Sequence, residues 1–243
     1  MFAWAGDPQF WIGLLQIIWI DIILSGDNAV VIALACRKLP RHQQRIAILA
    51  GTGGAIGLRV VMATVVTLLL EVHYLKLIGS ALLLWIAIKL LAPQEGEGGH
   101  GQSVSGLWPA IRTIIVADFV MSLDNVIGIA AAAKGSILLL VLGLLISIPL
   151  IIFSSTLILR LMGRFPGIVT LGGALLGYIA GEMAVTDRAV SEWVAAQAPV
   201  LKFIAPLAGI VFVVVVGKLL AARARPRAPV DLAAGDKQPP AGP

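Results

Sequence analysis

Residues 21–33 read DIILSGDNAVVIA, and residues 118–130 read DFVMSLDNVIGIA. Asp21, Ser25, Asp27, Asn28, Ile32 and Ala33 match Asp118, Ser122, Asp124, Asn125, Ile129 and Ala130 at one constant offset. Each copy lies inside an apolar segment long enough to cross, as a helix, a hydrocarbon layer about 30 Å thick. Reading these two stretches as equivalent membrane helices divides the chain into two related halves.

Composition supports the membrane reading. The chain has 243 residues, of which 59% are apolar and 13% charged, against about 25% charged in an ordinary soluble domain. That leaves too little charge to cover a water-facing surface. The net charge of +5 comes from cations clustered in short loops and at the C-terminus, a pattern of membrane orientation and not of nucleic-acid binding. Cys36 is the single cysteine, so no intrachain disulfide can form. With only His42, His73 and His100 beside it, a Cys/His site for zinc or copper is not expected. The first apolar segment lacks a basic leader and a clear cleavage site, so it is expected to be a retained helix.

Seven membrane helices are expected: about 9–36, 46–70, 74–91, 107–133, 137–161, 166–184 and 201–222. The fold class is therefore all-α and polytopic. Residues 1–92 form a first three-helix repeat and 107–186 a second, with an outer loop and seventh helix over 187–222. The polar, Gly-rich segment 93–106 (PQEGEGGHGQSVSG) reads as a flexible cytoplasmic linker. Residues 223–243 read as a disordered cytoplasmic tail. A weaker echo links GSALLLWIA at 79–87 to GGALLGYIA at 172–180. Three helices per repeat insert the second half upside down relative to the first, as in transporters built from inverted repeats.

Orientation follows from the cations. With the N-terminus outside, Arg37, Lys38, Arg41, Arg45, Lys89, Arg112, Arg160, Arg164, Lys218, Arg223, Arg225 and Arg227 fall on the cytoplasmic face. Lys76, Lys134, Arg188 and Lys202 fall on the other. The expected location is a bacterial inner membrane, with the N-terminus outside and the C-terminus in the cytoplasm.

An acid at the centre of a membrane helix costs about 2.5–3.5 kcal/mol on insertion scales. Asp21, Asp27, Asp118 and Asp124 must therefore face the bundle interior and find partners. Asp21, Ser25 and Asn28 share one helical face, as do Asp118, Ser122 and Asn125. Asp27 and Asp124 fall roughly 120° from those stripes if the helices are regular. Ser25-Gly26 offers a local break that would swing Asp27 inward, whereas Leu123 replaces that glycine in the second copy. Asp21, Asp27, Asn28, Asp118, Asp124 and Asn125 are the candidate metal ligands, with Ser25 and Ser122 in support. This all-oxygen set suits a hard divalent cation such as Mn²⁺, Mg²⁺ or Ca²⁺, and its carboxylates offer a route to proton exchange.

Arg59, mid-helix in the second span, reads either as a counter-ion or gate for these acids or as a structural ion pair. Glu182 is a supporting or proton-transfer candidate, or a helix-end carboxylate that reaches water. The acidic linker residues Glu95 and Glu97, with His100, read as a plain linker or else as a loose metal-binding segment. Trp4, Trp11, Trp19, Trp85, Trp108 and Trp193 fit an aromatic belt at the membrane interfaces.

LSGDNAVVIA and MSLDNVIGIA resemble the paired signature of the TerC family of integral membrane proteins, in its YjbE-like branch. The resemblance covers nearly the whole chain to about residue 222. It implies metal-ion transport, specifically Mn²⁺ efflux, with a link to tellurite resistance. It places the family's acidic motif positions on Asp21, Asp27, Asn28, Asp118, Asp124 and Asn125. Asp21 stands where many relatives have Glu, which shortens one arm of the site. No enzymatic activity and no resident cofactor are expected; the partners expected are the bilayer, the transported divalent cation and a homo-oligomer. Two alternatives stay open. One is a membrane-embedded component of a stress or tellurite-resistance complex that binds an ion without transporting it. The other is an intramembrane aspartyl protease, for which the usual G-x-G-D is missing because Leu24 takes the first glycine's place.

Overall fold

A computed structural model describes residues 8–92, 106–133 and 135–223. The expected linker and tail, apart from Gly106 and Arg223, lie outside these residues, as do Trp4 and Lys134. Among the described residues there are helices and no strands: α1 (Pro8–Leu24), α2 (Gly26–Cys36), α3 (Arg41–Thr64), α4 (Val66–Glu71), α5 (Leu75–Leu91), α6 (Leu107–Ala133), α7 (Ile137–Arg164), α8 (Gly167–Thr186), α9 (Ser191–Gln197) and α10 (Leu201–Arg223). Helices α3, α6, α7, α8 and α10 are each long and apolar enough to cross a membrane, and α1 and α2 are so only together, as a pair bent by 51°. The remaining expected span is α5, apolar but only 17 residues long, about 26 Å at 1.5 Å per residue. By length and composition the described residues hold five spans, or six if the bent pair is one, and one short apolar helix, where the sequence reads seven spans.

The first span breaks where the sequence weakens it. Ser25 leaves the helix at φ −103°, ψ 3°, in the sparsely populated bridge region. Gly26, a poor helix former, follows it. The second span breaks again at Val65, between α3 and α4. The polar first turn of α3 begins at Arg41, ahead of the apolar register, because Pro40 stands at its N-cap, where a fixed φ is compatible with helix entry. Residues 191–197, expected to be loop, form the short α9.

A polar cluster lies within an apolar core, and the outer faces of the bundle are apolar as well. Asp21, Ser25, Asn28, Arg59, Asp118, Ser122, Asn125, Ser147 and Ser155 are buried, while Trp19, Ile23, Ile78, Phe153, Leu171 and Phe203 are exposed. Lipid as solvent explains the apolar exterior: apolar side chains lose nothing by facing hydrocarbon, and polar groups must satisfy one another within the bundle.

Packing partners follow an exchange of halves. Helix α6 packs on α3 as α1 and α2 pack on α7, and α6 packs on α5 as α2 packs on α8. Further contacts, α1 and α2 with α6, α3 with α7 and α5 with α8, join equivalent elements of the two halves. Helix α10 lies outside the exchange and rests on α8 and α5. Small residues bring it in. A Cβ at Gly177 would stand 2.4 Å from the Gly209 carbonyl oxygen, and one at Gly181 would stand 2.2 Å from that of Ala205. Those backbones touch as in other small-xxx-small helix pairs.

Candidate functional site

Asp21 on α1 and Asp118 on α6, the first acids of the two motif copies, meet at one buried guanidinium. Arg59 on α3 is 1% exposed and Asp21 is fully buried. Arg59 Nη2 donates to Asp118 Oδ1 at 2.7 Å. Nη1 donates to Asp21 Oδ1 and lies 3.1 Å from Ser25 Oγ. Nε donates to Ser122 Oγ at 3.1 Å. Each motif serine in turn donates to its own acid, Ser25 to Asp21 at 3.0 Å and Ser122 to Asp118 at 3.2 Å. The i, i+4 spacing read from sequence makes these acid–serine pairs. Arg59 thus binds two like units presented by the two halves, in a planar fork suited to carboxylates.

One member of the site carries no motif. Ser147 on α7 is fully buried and donates to Asp21 Oδ2, while its hydroxyl also lies 2.8 Å from the Leu144 carbonyl. The only signal in the sequence is a hydroxyl within a long apolar run, two residues before Pro149.

The second acids part company. Asp27 is half-buried and stands in the first turn of α2, where the helix N-terminus favours a negative charge. Its Oδ1 accepts the Asn28 N–H at 2.8 Å. Asp124, on the unbroken α6, points away from the cluster. Its side chain is 47% exposed and pairs with Lys76 at the start of α5. The structure therefore does not bring Asp124 together with the other acids. The physical reason is the one its spacing gives: without a break, a residue six positions after Asp118 falls off the shared face.

The two asparagines differ as well. Asn125 Nδ2 donates across to the Leu24 carbonyl at 3.1 Å, at the end of α1. Asn28 is buried, and neither end of its amide has a hydrogen-bond partner. Glu182 lies exposed on α8, outside the cluster. Asp187, read from sequence as part of a polar loop, is buried and caps α5 from the far half of the chain. It accepts N–H groups from Tyr74 at 3.2 Å, Lys76 at 2.9 Å, Leu77 at 3.1 Å and Ala189 at 2.8 Å. Burial pushes its carboxyl up, but these donors outweigh that and hold it below the usual carboxylate range.

Two carboxylates, Asp21 and Asp118, bind one guanidinium, with hydroxyls from Ser25, Ser122 and Ser147 around it. All donors are oxygen, the chemistry of a hard cation, and the cation held in this conformation is Arg59. Among the described residues, no three His, Cys, Asp or Glu side chains gather into a metal-binding group.

A bundle that buries its charges on a two-fold pattern and turns apolar side chains outward is that of an integral membrane protein with an internal polar site. The chain belongs to the TerC family: the sequence profile described as "Integral membrane protein TerC family" matches residues 6–226. It is 40% identical over 208 residues to the uncharacterized membrane protein YjbE of Bacillus subtilis, covering 86% of this chain and 94% of that one. It is 26% identical over 193 residues to the UPF0053 inner membrane protein YgdQ of Escherichia coli K12, covering 72% and 81%. The UPF0053 inner membrane protein YoaE of the same organism is 26% identical over 184 residues, but the match spans only 35% of its length. No solved structure matches the chain.

Proposed function

We propose that this protein is a secondary transporter that exports a divalent metal cation, Mn²⁺, from the cytoplasm, in exchange for protons. In this reading it lies in the bacterial inner membrane as two inverted three-helix repeats and a seventh helix, with its N-terminus outside. The observation that carries the proposal is the convergence of Asp21 and Asp118, equivalent acids of the two halves, on a single buried cationic group. Arg59 is a tethered counter-ion that keeps the acids paired when no cargo is bound. Cargo displaces it, with Asp27 as the third carboxylate and Ser25, Ser122 and Ser147 as neutral oxygens. Asn28, Asn125, Asp124 and Glu182 stay outside that first set in this conformation. An arginine between the two carboxylates also favours transport over aspartyl proteolysis, which needs paired carboxyls that share a proton.

One observation favours a second reading. Nε, Nη1 and Nη2 of Arg59 all have partners, as a purely structural network joining α1, α3 and α6 would require. In that case the protein serves a membrane complex and binds no cargo. Flux in proteoliposomes separates the two. Mn²⁺ should cross with the wild type, and a pH gradient should change its rate. It should fail to cross with Asp21→Asn/Asp118→Asn at equal reconstitution. Equal flux in both proteins, or none in either across a panel of divalent ions, would sink the transport reading.

A further inference from the structure

Asn28 and Asn125 hold equivalent places in the two motifs, yet only one is bonded. Asn125 donates to the Leu24 carbonyl at 3.1 Å. In a continuous helix that carbonyl would take the Asn28 N–H, but at the break the Asn28 N–H goes to Asp27 Oδ1 instead. Asn125 therefore holds a carbonyl that exists as a free acceptor only because α1 and α2 are broken. Asn28 is 3% exposed, and both ends of its amide lack a partner. A buried amide so placed is rare and calls for an explanation.

The duplication supplies one. Leu24 corresponds to Met121, so the partner matching that of Asn125 is the Met121 carbonyl for Asn28. In this structure α6 runs unbroken from Leu107 to Ala133, and its own ladder consumes that carbonyl. It would be freed only if α6 opened at Ser122-Leu123.

We propose that the protein has a second conformation in which the halves exchange states. There α6 is broken at Ser122-Leu123 and α1 joins α2 as one helix. Asn28 donates to the Met121 carbonyl, and Asn125 becomes the unbonded amide. Asn28 and Asn125 are positioning residues, each of which holds the break in the opposite half. Asp124 then turns toward Asp118 while Asp27 leaves the cluster, so the third carboxylate alternates between halves and between the two ends of the bundle. The inference rests on the transporter reading above for its purpose, but its structural content stands apart from flux. Leu123 in place of Gly26 makes the α6 break the less favoured of the two, in keeping with the conformation seen.

Hydrogen exchange of the full chain in nanodiscs tests this without any transport measurement. Asn125→Ala removes the support of the present break. We expect exchange over 119–127 to rise about fivefold, the factor that one net hydrogen bond carries, and exchange over 22–30 to slow. A merely structural role would give the opposite sign, with 22–30 faster and 119–127 unchanged, and would overturn the proposal. Asn28→Ala should slow exchange over 119–127; a wild-type rate there would also overturn it. Should Asn125→Ala fail to fold, Leu123→Gly serves in its place. It should raise exchange over 119–127 and slow it over 22–30, whereas a rise confined to 119–127 means a local glycine effect and no coupling. Loss of flux with this reciprocal exchange intact would count against the transport reading alone.

Discussion

The two copies of the acidic motif share their residues but not their backbone. In the first, the helix breaks at Ser25 and bends by 51°, which sets Asp27 in the first turn of a new helix. In the second, α6 continues and Asp124 leaves the interior for Lys76. The difference teaches that a repeated sequence fixes which chemistry is offered and the helix path fixes where it is delivered. Asp21 and Asp118 precede the break point and behave alike. Asp27 and Asp124 follow it and do not.

The largest effect should come from the group that the two copies share. Arg59→Met leaves two buried carboxylates without a counter-ion. Removing one partner of a buried pair costs about 3–5 kcal/mol, read as a lowered thermal midpoint in detergent. Asp21→Asn/Asp118→Asn in the same background should recover part of that loss. A midpoint equal to wild type in Arg59→Met would break the claim that the halves are joined through this residue.

The third helices of the two halves offer the next contrast. Helix α5 is capped by Asp187 from the opposite half, whereas α8 has Pro166 at its N-cap and no side-chain cap. Asp187→Ala should cost about 1–2 kcal/mol. The sign of its pH dependence follows from a carboxyl held below its ordinary value in the folded protein. The stabilisation is fully present above the ordinary carboxylate range and is lost as pH falls through the lowered folded value. The gap between wild type and variant should therefore be constant near neutrality and close in acid. A gap that widens in acid would mean that the carboxylate is not the cap.

Gly26→Ala tests the break itself. A Cβ there meets nothing within 4 Å, so the change is tolerated sterically. It should favour helix by about 0.5–1 kcal/mol, seen as slower amide exchange across 22–30. If exchange there does not change, Asp27 and Asn125 fix the break rather than the glycine. The smallest effect belongs to the peripheral pair: Lys76→Ala should cost less than about 1 kcal/mol. A larger loss would place Asp124 nearer the machinery than its exposure suggests.

The apolar segments were legible because lipid demands long runs, and α6 keeps its expected bounds from Leu107 to Ala133. The acid–serine pairs were legible from i, i+4 spacing, and the divergence of Asp27 from Asp124 from the Gly26/Leu123 difference. What sequence could not supply is partnership across the fold. Arg59 left two readings open because nothing local says that its guanidinium lies between two distant acids. Ser147 is one hydroxyl in an apolar helix, and its value depends on α7 packing against α1. Asp187 sits in a stretch that looks solvated and is buried only because the α5 N-terminus folds onto it. The unsatisfied Asn28 is likewise invisible without knowing that α6 stays whole.

On the transport reading, Arg59 occupies the place of a divalent cation between Asp21 and Asp118. Thermal unfolding with and without Mn²⁺ tests it most directly, on wild type, Arg59→Gln and Asp21→Asn/Asp118→Asn. Mn²⁺ should raise the midpoint of Arg59→Gln more than that of wild type, because the acids no longer have a built-in competitor, and should leave the double variant unmoved. An equal shift in all three proteins, or none in Arg59→Gln, would contradict it.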